Sequence, residues 1–110
     1  MKVVVIGSSN IDMVAQVSHL PAPGETVGDA NFMQSLGGKG ANQAVAAARL
    51  GGFVTFVTSL GNDMYADILK NHFKKEGITT DYIIDDVNHP TGTALIFVCL
   101  LYTSPSPRDA

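Results

Sequence analysis

Residues 37–44 read GGKGANQA, in which two glycines, a lysine and a third glycine run directly into an alanine-rich segment. Glycine permits backbone conformations and close approaches that other residues do not. The segment that follows predicts a helix from Ala41 to Leu50, with small apolar residues on one face and Gly51-Gly52 at its end. The stretch therefore indicates a glycine-rich turn that enters a helix, a place where α/β proteins commonly bind ligands.

The glycines and the lysine suggest a phosphate loop, but their spacing fits neither common phosphate motif. A P-loop needs G-x-x-x-x-G-K-[ST], and here Gly40 replaces the hydroxyl residue while Met33 replaces the first glycine. A dinucleotide fingerprint needs G-x-G-x-x-G, and Gln43 stands where its third glycine belongs. Free helix N–H groups, the Lys39 ammonium and the Asn42 amide can still bind several hydroxyls. A plain strand-to-helix turn with a solvated lysine stays open as the alternative.

Apolar runs and helical patterns alternate along the rest of the chain. Strands are predicted at residues 3–6, 53–58, 82–84 and 93–101, with further extended segments within residues 25–36 and a turn at residues 60–63. A second helix is predicted at residues 64–76, capped by Asn62 or Asp63 and ended by Gly77. This alternation predicts an α/β fold whose first strand is buried in a parallel sheet. The excursion between that strand and the first helix is too long for a simple connection, which indicates a functional segment.

A second polar stretch, Ser9-Asn10-Ile11-Asp12, follows the first predicted strand. In open α/β sheets ligands bind outside the carboxyl ends of the strands, so we expect Asn10 and Asp12 to share one face of a loop there. A carboxylate and an amide two residues apart suit a vicinal diol, because the carboxylate can accept from both hydroxyls. An ordinary Asx-turn is the alternative for these four residues taken alone. Two polar loops at the same sheet edge together favour a polyol pocket.

The composition argues against several classes of function. The 110 residues are 45% hydrophobic and 15% charged, with a formal net charge of −3, which is typical of a globular domain rather than a nucleic-acid or membrane-surface binder. No apolar run reaches the roughly 18 residues that a membrane span needs. A single cysteine, Cys99, fits a reducing cytosol, so we expect a cytoplasmic protein. His19, His72 and His89 lack metal-ligand spacing.

GGKGANQA, with Gly51 and Gly61 after it, resembles the N-terminal signature of the ribokinase-like carbohydrate kinases. Other segments similar to that family lie at residues 7–12, 23–26, 61–63 and 91–94, so the resemblance runs from about Val3 to Val98. It implies the N-terminal part of a three-layer αβα fold with a β-sheet lid, built from the long excursion and the strand at 93–98. Such a lid closes over the sugar and excludes water, and paired lids would form a homodimer.

The resemblance also implies an activity and a set of binding residues. Sugar binding falls on Asn10, Asp12, Gly38, Lys39 and Asn42. The implied reaction is ATP-dependent phosphorylation of D-ribose at O5 to give ribose 5-phosphate, with Mg²⁺ and with K⁺ as a further expected ion. The alternatives are another sugar or nucleoside kinase of the family and a non-catalytic sugar-binding module.

One departure from the family pattern limits what this chain is expected to do. The family's catalytic base is an aspartate in a Gly-Ala-Gly-Asp-like motif near the C-terminus, beside the ATP site, and the sequence contains no such motif. We therefore expect residues 1–98 to be a truncated N-terminal part of the kinase domain, with no catalytic residue, no bound cofactor and no activity alone. Residues 99–110, which contain two Ser-Pro pairs, are expected to be a disordered or non-native tail.

Overall fold

The computed structural model describes residues 1–99. In chain order the elements are β1 (Lys2–Ile6), β2 (Asn10–Val17), β3 (Asn31–Gly37), α1 (Lys39–Arg49), β4 (Phe53–Val57), β5 (Ser59–Gly61), α2 (Met64–Lys75), β6 (Ile84–Asp86) and β7 (Gly92–Cys99). The order confirms the predicted α/β alternation. The predicted tail at 99–110 begins with Cys99, which the structure places as the last residue of β7. The rest of that tail, and the end of the strand predicted at 93–101, lie outside the described residues.

The hydrophobic core lies between the parallel pair β1–β4 and the two helices, which cover the same face of that pair. Val5, Val54 and Phe56 point into it, and Phe56 and Phe73 are both fully buried. Their rings meet edge to face, with centroids 5.2 Å apart and planes at 87°. Aromatic pairs of this geometry contribute about 0.5–1.5 kcal/mol beyond their buried area. This pair therefore fixes α2 on the sheet.

The prediction that β1 is buried within the sheet is wrong for one of its faces. Val4 is 64% exposed and Ile6 is 78% exposed, and Phe53 on the neighbouring strand is 75% exposed. In a strand, successive side chains alternate between faces, and α1 and α2 cover only the face of Val3 and Val5. A run of β-branched residues predicts a strand, but it does not tell which faces other elements cover.

The long excursion and the last strand form one three-stranded sheet in the order β3–β2–β7. β2 is antiparallel to β3 and parallel to β7, with Asn10 opposite both Gly37 and Gly92. We call this sheet the lid, because it joins the excursion to the later strand as the family resemblance predicts. Away from the core its apolar side chains are largely exposed, among them Phe32, Met33, Leu95 and Phe97.

Three local predictions are wrong. Asn10 to Asp12 lie in strand β2 and not in a loop, because β2 pairs with strands on both sides. The turn predicted at 60–63 begins as strand β5, and the strand predicted at 82–84 lies at Ile84–Asp86 instead. These last two shifts have one cause: β5 and β6 pair with each other, in the register Ser59 to Ile84.

Both helices end one residue before the predicted end, and α2 starts at Met64 as predicted. Gly51 and Gly77 take positive φ angles of 94° and 76° directly after the helical caps, a conformation that favours glycine. α2 is capped by Asp63, whose side chain accepts a 2.9 Å hydrogen bond from the Ala66 N–H. α1 begins at Lys39, two residues before the predicted start. Neither helix is long and apolar enough to cross a membrane, and residues 1–99 contain no other helix that is.

Candidate functional site

The register of the lid places the two polar residues of β2 beside the glycine turn. Asn10 lies opposite Gly37, the residue before the turn, and Asp12 lies two residues further along the same face of β2. Ile11 points the other way and is fully buried in the core. Ile11 therefore anchors the strand while Asn10 and Asp12 stay at the surface, both only partly buried.

Asn10 and Asp12 are hydrogen-bonded to each other. The Asn10 Nδ2–H donates to Asp12 Oδ1 at 2.6 Å. A carboxylate has about four lone-pair positions, so this bond fixes the orientation of Asp12 and leaves most of its accepting capacity for a ligand. The amide oxygen of Asn10 supplies another acceptor. The shared face predicted for the two residues is thus present, on a strand instead of a loop.

Gly37 makes room for the Asp12 carboxylate. A Cβ atom built on Gly37 would lie 2.8 Å from Asp12 Cγ and 2.9 Å from Oδ1, distances that real Cβ atoms essentially never show. The carboxylate therefore occupies the volume that a side chain at residue 37 would fill. Gly37 ends strand β3 without a positive φ, so it is the Asp12 carboxylate that requires glycine there.

The next glycines bring the helix start against the loop after β1. Gly38 has a φ of 102°, and a Cβ there would lie 2.7 Å from the Cα of Ser9. A Cβ on Gly40 would lie 2.7 Å from the Cα of Gly7. Backbone thus packs directly on backbone, and this contact joins the two polar segments that the sequence analysis singled out.

The N-terminus of α1 is capped only by backbone: the Ala41 N–H donates to the Ser8 carbonyl at 3.0 Å. It has no side-chain cap and no acidic residue in its first turn, whereas α2 has both Asp63 and Asp67. Free N–H groups and the helix dipole favour electron-rich atoms at such an end. Lys39, the first helical residue, adds an exposed ammonium that makes no ion pair within residues 1–99. Hydrogen-bond donors at α1 thus lie near the acceptors on β2.

Asn42 lies one turn into α1, where its N–H donates to the Gly38 carbonyl at 2.9 Å. Its side chain is exposed and lines a groove of about 520 Å³, whose other lining residues are Leu36, Val45, Ala46, Arg49 and His72. Of the five predicted sugar-binding residues, only Asn42 lines this groove. The structure thus brings Asn10, Asp12, Gly38 and Lys39 to one end of the lid, with Asn42 just beyond them.

Sequence reasoning did not assign a role to several residues around this site. Gly37 is the first of two adjacent glycines, a pattern that could have marked it, but the sequence indicated only a glycine-rich turn there. Ser9 and Thr58 are buried, and their hydroxyl oxygens lie 3.2 Å apart, which ties the carboxyl ends of β1 and β4 together. No local pattern marks that pair, because the two residues are 49 positions apart.

The site offers several hydrogen-bonding groups. Within the part of the chain that the structure describes, no three His, Cys, Asp or Glu side chains lie together as metal ligands would. Acceptors on β2 and donors at the start of α1 suit a polyhydroxylated ligand, whose hydroxyls both donate and accept. The fold and this site define an α/β protein with a cluster of hydrogen-bonding groups at one end of a three-stranded β-sheet.

Comparison with known proteins gives the family. A family model described as pfkB family carbohydrate kinase matches residues 1–99. The chain belongs to the pfkB family of carbohydrate kinases, as its GGKGANQA stretch predicts.

Individual relatives agree with that assignment. The chain is 47% identical to the ribokinase of Haemophilus influenzae over 94 residues, and 46% identical to that of Bacillus subtilis over 92 residues. These matches cover 86% and 84% of this chain and 31% of each relative. The structure of an Arabidopsis thaliana ribokinase complexed with ribose and ATP matches with a TM-score of 0.82 and 35% identity. That match covers 87% of this chain and 31% of the other, so the chain spans about a third of its relatives.

Proposed function

We propose that this chain is the sugar-binding part of an ATP-dependent kinase that phosphorylates D-ribose at O5 and yields ribose 5-phosphate. The observation that carries the proposal is the hydrogen-bonded pair Asn10 and Asp12, held over Gly37 at the end of the lid. The relatives named ribokinase, one of them complexed with ribose and ATP, support ribose as the substrate.

Each polar group has a proposed role in holding the sugar. The Asp12 carboxylate accepts hydrogen bonds from two neighbouring hydroxyls, and Asn10 both fixes that carboxylate and contacts the sugar. Gly38 allows the sugar to approach the backbone closely. Lys39 and Asn42, on the first turn of α1, donate to sugar oxygens. None of these groups carries out the chemistry; they fix the orientation of the sugar, which leaves O5 as the hydroxyl presented to the phosphate donor.

The lid has two proposed roles. Closed over the sugar, it excludes water and so limits wasteful hydrolysis of ATP. Its exposed apolar side chains, such as Phe32 and Leu95, support pairing with the lid of a second copy in a homodimer. A cytoplasmic location is part of the same proposal, since residues 1–98 contain no cysteine that could form a disulfide.

The residues present do not fit ATP or its metal ions. The glycine turn lacks P-loop spacing, and the described residues 1–99 bring no metal-ligating cluster together. We therefore assign ATP, Mg²⁺, K⁺ and the catalytic base to a part of the protein outside these residues. When bound there, Mg-ATP supplies the phosphoryl group. The 110-residue chain alone is expected to show no ribose-dependent turnover of ATP.

The division of the chain is also a proposal. We place the native part of the kinase domain at residues 1–98 and propose that residues 99–110 are non-native sequence. The genomic DNA downstream of codon 98 tests this boundary. A reading frame that continues into a Gly-Ala-Gly-Asp motif supports it, and a native stop codon after Ala110 contradicts it.

Calorimetric titration of the chain with sugars tests the proposed function. We expect saturable binding of ribose, weaker binding of 2-deoxyribose, which lacks one hydroxyl of the diol, and loss of ribose binding in Asp12→Asn. Asp29→Asn, which removes a carboxylate on an exposed segment before β3, is the matched control. Equal ribose affinity in Asp12→Asn and Asp29→Asn contradicts the proposal, and preference for a nucleoside redirects it to another kinase of the family.

A further inference from the structure

One carboxylate outside the sugar site ties the core to the lid. Asp63 caps α2, but it also accepts two hydrogen bonds from Thr91, the residue directly before β7. The Thr91 N–H donates to Asp63 Oδ2 at 2.9 Å, and the Thr91 hydroxyl donates to Oδ1 at 2.7 Å. The same hydroxyl accepts from the Gly61 N–H at 3.0 Å. Thr91 is only 2% exposed, whereas Asp63 is partly exposed, so the bonds between them are partly buried.

The backbone around this contact is closely packed. A Cβ on Gly61 would lie 2.5 Å from the Thr91 nitrogen and 2.6 Å from the His89 carbonyl oxygen. The segment entering β7 therefore lies directly against the end of β5. Little free space remains for Thr91 to move while Asp63 holds it.

Thr91 also leads directly to the sugar-facing pair. The next residue, Gly92, pairs with Asn10 across β2 and β7, and a Cβ on Gly92 would lie 3.2 Å from the Asn10 Cβ. A continuous path of contacts thus runs from the N-terminus of α2 through Asp63 and Thr91 to Asn10. The first residues of β7 cannot shift without moving the end of β2 that carries Asn10 and Asp12.

We propose that Asp63 and Thr91 form a clamp that positions Asn10 and Asp12 for sugar binding by fixing the core end of the lid. Both are positioning residues, since neither contacts the proposed sugar site. The inference rests on the proposed function for its ligand, although the clamp itself follows from the contacts alone. The clamp also gives a role to two stretches that take no part in the proposed sugar binding, Gly61-Asn62-Asp63 and Thr91-Gly92-Thr93-Ala94.

Two substitutions separate the clamp from the helix cap. Asn caps helices as well as Asp does, so Asp63→Asn keeps the acceptor for the Ala66 N–H but turns an amide group toward the Thr91 N–H. Thr91→Val keeps the shape of the side chain and removes the hydroxyl, while Thr91→Ser restores the hydroxyl. Asp67→Asn is the matched control, because it removes a charge from the same first turn of α2.

Hydrogen exchange and ribose titration of the 110-residue chain test the clamp. We expect Asp63→Asn and Thr91→Val to speed exchange in residues 11–13 and 93–95 and to weaken ribose binding about tenfold, with exchange in the middle of α2 unchanged. Thr91→Ser and Asp67→Asn should behave as the unsubstituted chain. Unchanged exchange in both clamp variants, or equal acceleration in α2 and the lid, overturns the proposal. If the unsubstituted chain does not bind ribose, selective loosening of the lid still supports the clamp and only the proposed function fails.

Discussion

The carboxylate of Asp12 lies where a side chain on Gly37 would be, in contact with the backbone that leads into α1. This relationship couples the two polar segments of the site: the central strand of the lid supplies the carboxylate, and the glycine turn supplies the space for it. The Asn10 amide, 2.6 Å from Asp12 Oδ1, then fixes which way the carboxylate faces.

Gly37→Ala tests this packing. We expect the added methyl to push the carboxylate aside and weaken ribose binding about tenfold or more, because the neighbouring atoms are too close to give way without a rotamer change. Gly28→Ala is the control, since a Cβ there meets nothing within 4 Å. Calorimetric titration measures both variants. If Gly37→Ala binds ribose as tightly as Gly28→Ala does, the Asp12 carboxylate is free to move aside and the account of the packing is wrong.

Phe73→Ala tests the core that supports the site. Phe73 is fully buried and meets Phe56 edge to face, so we expect its loss to cost about 3–5 kcal/mol of unfolding free energy. Phe53→Ala removes the same kind of ring from a position 75% exposed, and a change within about 0.5 kcal/mol is expected. Urea denaturation followed by circular dichroism compares them. Similar losses in the two variants would contradict the assignment of the core face.

The Asp63 clamp predicts a dependence of stability on pH. The pKa of Asp63 is lowered from its ordinary value of 3.8, first by the Thr91 N–H and then by the Thr91 hydroxyl. Because the folded-state pKa is below the unfolded one, the stabilisation is complete above the unfolded value and is lost as the pH falls through the folded value. The pKa values of Glu25, Glu76 and Asp86 are lowered too, so the hydrogen bonds of these carboxylates also contribute to the pH dependence of the unsubstituted chain.

The test therefore compares the unfolding free energy of the unsubstituted chain with that of Asp63→Asn. We expect the gap in unfolding free energy between the unsubstituted chain and Asp63→Asn to be full near pH 7 and to shrink below about pH 4. Denaturant titrations at pH 7 and pH 3 provide both values. A gap that stays constant across this range would show that the ionised carboxylate is not what holds Thr91.

The uncovered face of β1 predicts poor solubility of the isolated chain. Val4 and Ile6 expose apolar side chains beside Phe53, and exposed apolar faces on strands promote association. Val4→Thr with Ile6→Thr should reduce light scattering without loss of unfolding free energy, because threonine also favours strands. Val5→Thr, on the buried face, should instead destabilise the fold. If the double variant scatters as strongly as the unsubstituted chain, association occurs through another surface, such as the lid.

The parts of the fold that follow from local pattern were predictable from the sequence. Both helices were, because their apolar stripes end at Gly51 and Gly77, and the cap of α2 was narrowed to Asn62 or Asp63, of which the structure shows Asp63. The glycine spacing also excluded a phosphate loop at Lys39. These features depend on neighbours within a few residues.

The parts that depend on distant partners were not predictable. β2 contains Asn10 and Asp12 among its first residues, which suggested a loop, and only pairing with β3 and β7 makes it a strand. The clamp joins Asp63 to a residue 28 positions later. No local pattern marks such a contact. Which face of β1 the helices cover was not predictable for the same reason, because it also depends on residues distant in the sequence.

Transplanting the site tests the central claim most directly. In a chimera, residues 1–98 replace the matching segment of the Haemophilus influenzae ribokinase, to which the chain is 47% identical over 94 residues. We expect the chimera to phosphorylate ribose with ATP, and Asp12→Ala in it to lower kcat/KM about a hundredfold, because a charged acceptor of two hydrogen bonds is lost. Circular dichroism confirms that both proteins fold. A folded chimera without ribose kinase activity, or one in which Asp12→Ala leaves kcat/KM unchanged, would contradict the assignment of this chain as the ribose-binding part of the enzyme.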